Sequence, residues 1–259
     1  MMELLIYGIQ NRDVICGDAR SPRPLDEWKG VRVNDIGNVS TINWHILDLE
    51  GSMDFRWLPQ RVRHFRIFRN KLHGSMELAS LPESIISLTC DKNSFSSSVE
   101  LRRLPLDMER LTISRNTLSG SLILDNLPKQ MRILNVSFNN FDGSVNLTKL
   151  PQGLTHLHLE CNSLCGTADL TKLSSGLEVL NLSENALSGP INLTRLPSGL
   201  ESLRLQENQF IGDVDFSMLA QALKHLDVSM TEIVGAISKA SEDFLFVPNT
   251  KVKILEKEM

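Results

Sequence analysis

Aromatic side chains make up only 5% of this chain, with a single tyrosine, and no stretch approaches the 18 or so consecutive apolar residues of a membrane span. Basic charge is short as well. The 27 Lys and Arg against 31 Asp and Glu leave a formal charge of -4, without the basic surplus that a phosphate backbone requires, so no nucleic acid is expected as partner. The four cysteines, Cys16, Cys90, Cys161 and Cys165, form no evenly spaced framework, which fits a reducing compartment better than a disulfide scaffold. The start, Met-Met-Glu-Leu-Leu-Ile-Tyr-Gly, has neither a basic n-region nor a small-residue cleavage site. These absences lead to the expectation of a soluble intracellular, cytoplasmic protein. Five N-x-S/T sequons, at Asn38, Asn135, Asn146, Asn181 and Asn192, keep open the alternative of a secreted or surface-associated protein whose signal was removed. Catalytic signatures are missing too: no nucleophile elbow, phosphate-binding glycine loop or paired-carboxylate motif. No catalysis and no cofactor are therefore expected, with a metal-dependent enzyme, or one assembled across repeats, as a remote alternative.

What is present is a repeat. Asparagine recurs every 23 residues, at Asn70, Asn93, Asn116, Asn139, Asn162, Asn185 and Asn208, in the frame L-x-x-L-x-L-x-x-N-x-L. One unit, Leu154 to Gly176, reads LTHLHLECNSLCGTADLTKLSSG. Its Leu157 and Leu159 alternate with His156 and His158, the period of a strand with leucines inward and histidines outward. Asn162 closes that strand, and its amide can satisfy turn groups that burial would strand. Four residues on comes Gly166, repeated as Gly51, Gly74, Gly120, Gly143, Gly189, Gly212 and Gly235, a slot suited to positive φ; Ser97 is the exception. Beyond the glycine, Leu122 with Leu124, Val145 with Leu147 and Ile191 with Leu193 predict a short outer strand. Leu-Pro pairs such as Leu104-Pro105 then turn the chain back.

The register runs from Val39 to about residue 245, giving nine rungs, an N-terminal cap over 1–38 and a C-terminal cap or tail over 246–259. In the front segment Leu25, Trp28, Val31, Val33 and Ile36 supply apolar surface to close the coil, and Cys90 takes an inward leucine slot as a small hydrophobe. At about 4.8 Å per rung the sheet would run roughly 40 Å, enough for a protein interface of about 800 Å² per partner.

The strings LNVSFNNFDG (134–143) and LNLSENALSG (180–189), the Leu-Pro of most units, and Trp28-Lys29-Gly30-Val31 followed by GNVSTINW (37–44) resemble the plant-type and protist leucine-rich-repeat proteins. The resemblance implies an α/β horseshoe: a right-handed solenoid, β-rich, with an inner parallel sheet, short outer strands, few helices, and a protein-binding role. The family's cap pattern W-x-G-V-x-C would put cysteine at 33; this chain has Val33, so the cap disulfide of secreted plant members is not implied.

The expected partner is a protein, held on the concave face. In the first three complete repeats the outward and flanking slots hold Arg66, Arg69, Lys71, Lys92, Arg110 and Arg115 against Asp91. In the next five they hold Arg204 against Glu160, Glu184, Glu207, Asp227 and Glu232. Such a polarised face steers a complementary partner and fixes its register. Candidate contact residues are Arg66, Phe68, Arg69, Lys92, Arg110, Arg115, His156, His158, Glu160, Arg204 and Asp227, with Arg66, Phe68 and Arg69 as the preferred hot spot. Phe138 is read as packing along its turn. His156, His158, Glu160, Cys161 and Cys165 have a metal-like composition, but no second cluster completes four ligands, so no metal is expected. A monomer is expected, with salt-sensitive self-association through the opposed charges as an option.

Overall fold

The computed structural model describes residues 1–238 and 245–255, in two compact units: Met1–Gly120 with Pro128–Asn139, and Ser121–Leu127 with Asn140–Met259. Both are solenoids of stacked parallel strands.

In the first unit the inner strands Val39–Asn43, His64–Arg66, Ser87–Thr89, Arg110–Thr112 and Ile133–Asn135 pair in parallel. The register is one repeat per strand, with Ile42 opposite Phe65, Phe65 opposite Leu88, and Leu88 opposite Leu111. Register is fixed because a slip by one residue would turn every one of these buried side chains outward. The core here is aromatic. Phe65 meets Trp44 edge-on at 6.2 Å and Phe55 at 5.9 Å, and Phe55 meets Phe95 at 5.8 Å.

The front end is closed mostly by residues that precede the expected set. Short helices at Met2–Leu5 and Asp13–Cys16 bury Met2, Leu5, Ile6, Ile9, Ile15 and Cys16. The chain is tied to the outer strand Glu50–Ser52 by Gln10 N–H to Glu50 O (2.8 Å) and Ser52 N–H to Gly8 O (3.0 Å). Gly51 permits that approach, since a Cβ there would lie 2.2 Å from Gly8 O. Trp28 and Val31 are buried as expected, and the Trp28 indole donates to Arg23 O. Leu25 and Val33 are only half-buried, and Ile36 is 81% exposed. The reason is local. Val31–Val33 runs antiparallel to Val39–Asn43, and the polar turn between them, where Asn34 Oδ1 accepts from Ile36 N and Asn38 N, carries Ile36 away from the core.

In the second unit the inner strands are His156–His158, Val179–Asn181, Ser202–Arg204, His225–Asp227 and Leu245–Phe246. Its core is leucine-rich, with Leu157, Leu180, Leu203 and Leu226 fully buried. The segment read as a tail supplies two strands, Leu245–Phe246 against His225–Asp227 and Lys251–Leu255 against Glu232–Ser238. Residues 239–244 of the array and 256–259 of the tail lie outside the described residues.

The ladder asparagines do what their chemistry allows. Buried Asn116 accepts from Phe95 N (3.0 Å) and donates to the carbonyls of Cys90, Ile113 and Ser114. Buried Asn208 repeats the pattern on Leu187 N and the carbonyls of Leu182, Leu205 and Gln206. At the rung after Asn208, where threonine replaces asparagine, Thr231 keeps one bond, to Val228 O.

The outer strand is displaced from its expected place. It lies between the asparagine and the glycine slot and does not follow the glycine in most rungs: Lys71–Ser75, Ser94–Ser98, Asn140–Gly143, Ser163–Gly166. Asparagine causes this by claiming the amide two residues into the strand of the preceding rung, as Asn162 Oδ1 does with Phe141 N. Beyond the glycine, Val145 and Leu147 are buried, but the chain there is bent. Asn146 Oδ1 takes the amide and hydroxyl of Thr148, and Asp169, Asn192 and Asp215 bind the amide two residues on in the same slot. Three first-unit rungs instead make short 3-10 turns, at Phe55–Trp57, Leu78–Ser80 and Leu101–Arg103. Ser97 takes the glycine conformation despite its Cβ, at φ 75°.

Candidate partner-binding faces

In the first unit, strand alternation puts His64 and Arg66 outward, followed by Phe68 and Arg69. Arg66 and Arg69 are exposed and Phe68 is half-buried. The Phe68 ring is stacked on His45 at 4.8 Å with 12° between planes, so the proposed anchor is already fixed in orientation. Burial, then Arg66 and Arg63, hold the His64 imidazole below its usual pKa. Arg110 is exposed. Asp91, the counter-charge expected on this face, is spent on the next rung. Its carboxylate accepts from Thr112 Oγ1 (2.8 Å), Ser114 Oγ (2.7 Å) and Ser114 N (2.8 Å). Lys71 leaves the set of free cations, because it sits in the outer strand and pairs with Glu50 at 2.8 Å.

One feature escaped the sequence reading altogether. The residue before each ladder position stands at positive φ between 52° and 55°: Ile46, Arg69, Lys92, Arg115 and Phe138 in the first unit, Cys161, Glu184, Glu207 and Met230 in the second. Its amide donates across to a neighbouring rung, as from Arg69 to Asp91 O (2.8 Å), Lys92 to Ser114 O (2.9 Å) and Glu184 to Gln206 O (2.9 Å). That bond accompanies the left-handed turn. The signal was positional, one residue ahead of the seven ladder asparagines and of Leu47 and Thr231 in the same slot, but residue type concealed it, since none of the nine is Gly, Asn or Asp. Phe138 belongs to this column, half-buried, and the Arg115 guanidinium lies 3.8 Å over its ring.

The second unit presents His156, His158 and Glu160 on one rung. The two imidazoles are 6.2 Å apart and tilted, and His158 Nδ1 is 3.7 Å from Glu160 Oε2. Among the described residues no three His, Cys, Asp or Glu side chains converge as a metal site. Arg204, Glu184 and Glu207 are exposed. Asp227 is half-buried and binds the amide and hydroxyl of Ser229. Burial, then Arg204, lower the pKa of His225, with Asp227 opposing.

Four of the five sequons sort into two kinds. Asn135 and Asn181 lie in inner strands and bind Ser137 and Ser183, with Asn181 buried. Asn146 and Asn192 are exposed, in the slot that Asp169 and Asp215 fill elsewhere. The N-x-S/T pattern is thus a turn device of the repeat.

No protein-family model and no curated protein sequence matches the chain. Solved structures do. A crystal structure of PEPR1–AtPEP1 is similar at TM-score 0.69 and 20% identity, covering 99% of this chain and 41% of that one. The Arabidopsis receptor kinase HAESA, in complex with the peptide hormone IDA and the co-receptor SERK1, gives 0.65 at 20% identity, covering 91% of this chain and 46% of that one. A plant ice-binding protein gives 0.62 at 19% identity, covering 97% and 85%. The chain spans less than half the length of those two receptor chains. At these identities the likeness concerns the fold, and with the repeat and the asparagine ladder it defines a leucine-rich-repeat fold. No helix among the described residues is long and apolar enough to cross a membrane.

Proposed function

We propose that this chain is a protein-recognition module, an adaptor or assembly subunit without catalytic activity, that holds its partner on the outward faces of its inner strands. The observation that carries this reading is the row of exposed cations in the first unit, Arg66, Arg69, Lys92, Arg110 and Arg115, none of which forms an ion pair among the described residues, beside an oriented aromatic at Phe68. Use of a similar fold by HAESA in its complex with the peptide hormone IDA supports it. The test is affinity capture with mass spectrometry from the source cell, comparing wild type with Arg66→Glu plus Arg110→Glu, both checked by circular dichroism. A protein recovered only by wild type supports the reading, whereas identical recovery counts against the basic face.

A second reading, a secreted or surface-associated recognition protein, draws on the exposure of Asn146 and Asn192. Glycans on those two and none on buried Asn181 would favour it over the cytoplasmic reading.

A further inference from the structure

The positive-φ column sets side chains where the backbone disfavours them. Glycine, asparagine and aspartate adopt that region most readily, yet all nine positions carry other residues. Strain retained in this way points to the side chains, and in the first unit three successive ones are cationic. We infer that Arg69, Lys92 and Arg115 form a docking strip for an extended acidic peptide segment of a partner protein, an inference that rests on the protein-recognition reading above.

The three residues occupy the same slot on consecutive rungs, about 4.8 Å apart, so the strip spans about 10 Å, the reach of three extended residues at about 3.3 Å each. All three are exposed and none is ion-paired among the described residues. The anion nearest in sequence, Asp91, bonds to Thr112 and Ser114 and forms no ion pair with the strip among the described residues. The Arg115 guanidinium lies 3.8 Å over the Phe138 ring, which marks one end. The column's amides are consumed by cross-rung bonds, leaving recognition to side-chain charge. In the second unit the same slot carries Glu184 and Glu207, so an acidic segment is attracted by one unit's column and repelled by the other's. Those glutamates also show that the slot folds with Glu in place, which makes charge reversal a fair test.

The probe is a fluorescein-labelled octaglutamate peptide, read by anisotropy at low ionic strength. Wild type is expected to bind it with an affinity that falls as salt rises. Lys92→Glu plus Arg115→Glu is expected to bind at least tenfold more weakly with an unchanged circular dichroism spectrum, and Glu184→Gln plus Glu207→Gln no more weakly than wild type. Absence of wild-type binding, equal binding by the reversed variant, or equally tight binding of a single-stranded DNA octamer would each overturn the strip. Capture experiments separate the two readings. If the reversed strip still captures a partner that Arg66→Glu plus Arg110→Glu loses, the strip falls and the recognition function stands. Should wild type capture no partner yet bind octaglutamate through the strip, the strip stands and the wider reading falls.

Discussion

The two units run the same 23-residue rule with different materials. The first has an aromatic core, a helical front cover, 3-10 turns and a face of exposed cations. The second has a leucine core, bent outer segments, a last rung built from 245–255, and acidic residues in the same column slots. Counted over the sequence, the first holds 18 Lys and Arg against 15 Asp and Glu, and the second 9 against 16. Inward slots stay apolar and the asparagine ladder recurs in both, while the column slots reverse sign. The repeat therefore separates what must pack from what is free to recognise.

The sharpest way to break the comparison is in the cores. Phe65→Ala removes a ring that meets both Trp44 and Phe55, and is expected to destabilise by about 4 kcal/mol in urea unfolding. Leu180→Ala in the second unit should lose about 3 kcal/mol. A larger loss at Leu180 would mean that the aromatic cluster is not the stronger core.

The ladder comes next. Asn116→Ala strands the Phe95 amide and three carbonyl contacts and is expected to lose about 3 kcal/mol, against about 1 kcal/mol for Thr231→Val, which removes a single bond. Equal losses would deny the ladder its role.

On the surface, Phe68→Ala is expected to weaken a captured partner by about 2 kcal/mol with a loss of folding stability below about 1 kcal/mol, the latter from His45 stacking. Comparable losses of both would place the ring in the core and remove the first unit's anchor.

Ser97→Gly should raise stability by about 0.5 kcal/mol, because it relieves a Cβ at φ 75° in the slot where eight other rungs of the array carry glycine at positive φ. A decrease would mean that the serine side chain compensates.

The smallest effect is shared by both units. His64 and His225 are held below the ordinary imidazole value of 6.5, so the folded chain resists protonation that the unfolded chain accepts. Stability is thus intact above pH 6.5 and declines as pH falls through it. His64→Gln and His225→Gln should each flatten that decline in urea titrations at pH 7 and pH 5.5, and a steeper decline would reverse the sign assigned to them.

Much of the fold was legible because period 23 and period 2 are both written in residue type. Asn116, Leu111 and Gly120 announce their slots, since only an amide, an apolar chain or a missing Cβ serves there. The front cover was not legible. Met2, Leu5, Ile6 and Ile9 form a brief apolar run whose partner surface is created only by the first rung. Of the candidate contacts, Arg66 and Arg110 could be placed by alternation alone. The pairing of Lys71 with Glu50 and the turning of Asp91 toward Ser114 depend on which residues stand side by side across 21 and 23 positions.

The sequence by itself determined the repeat, the inward faces and the asparagine ladder, because each rests on a chemical need that a particular residue type meets locally. Tertiary structure alone decided which charges are free, where the outer strand falls and that Arg69, Lys92 and Arg115 share a left-handed column. Those outcomes come from cross-rung hydrogen bonds that override local preference, and no residue at those positions declares them.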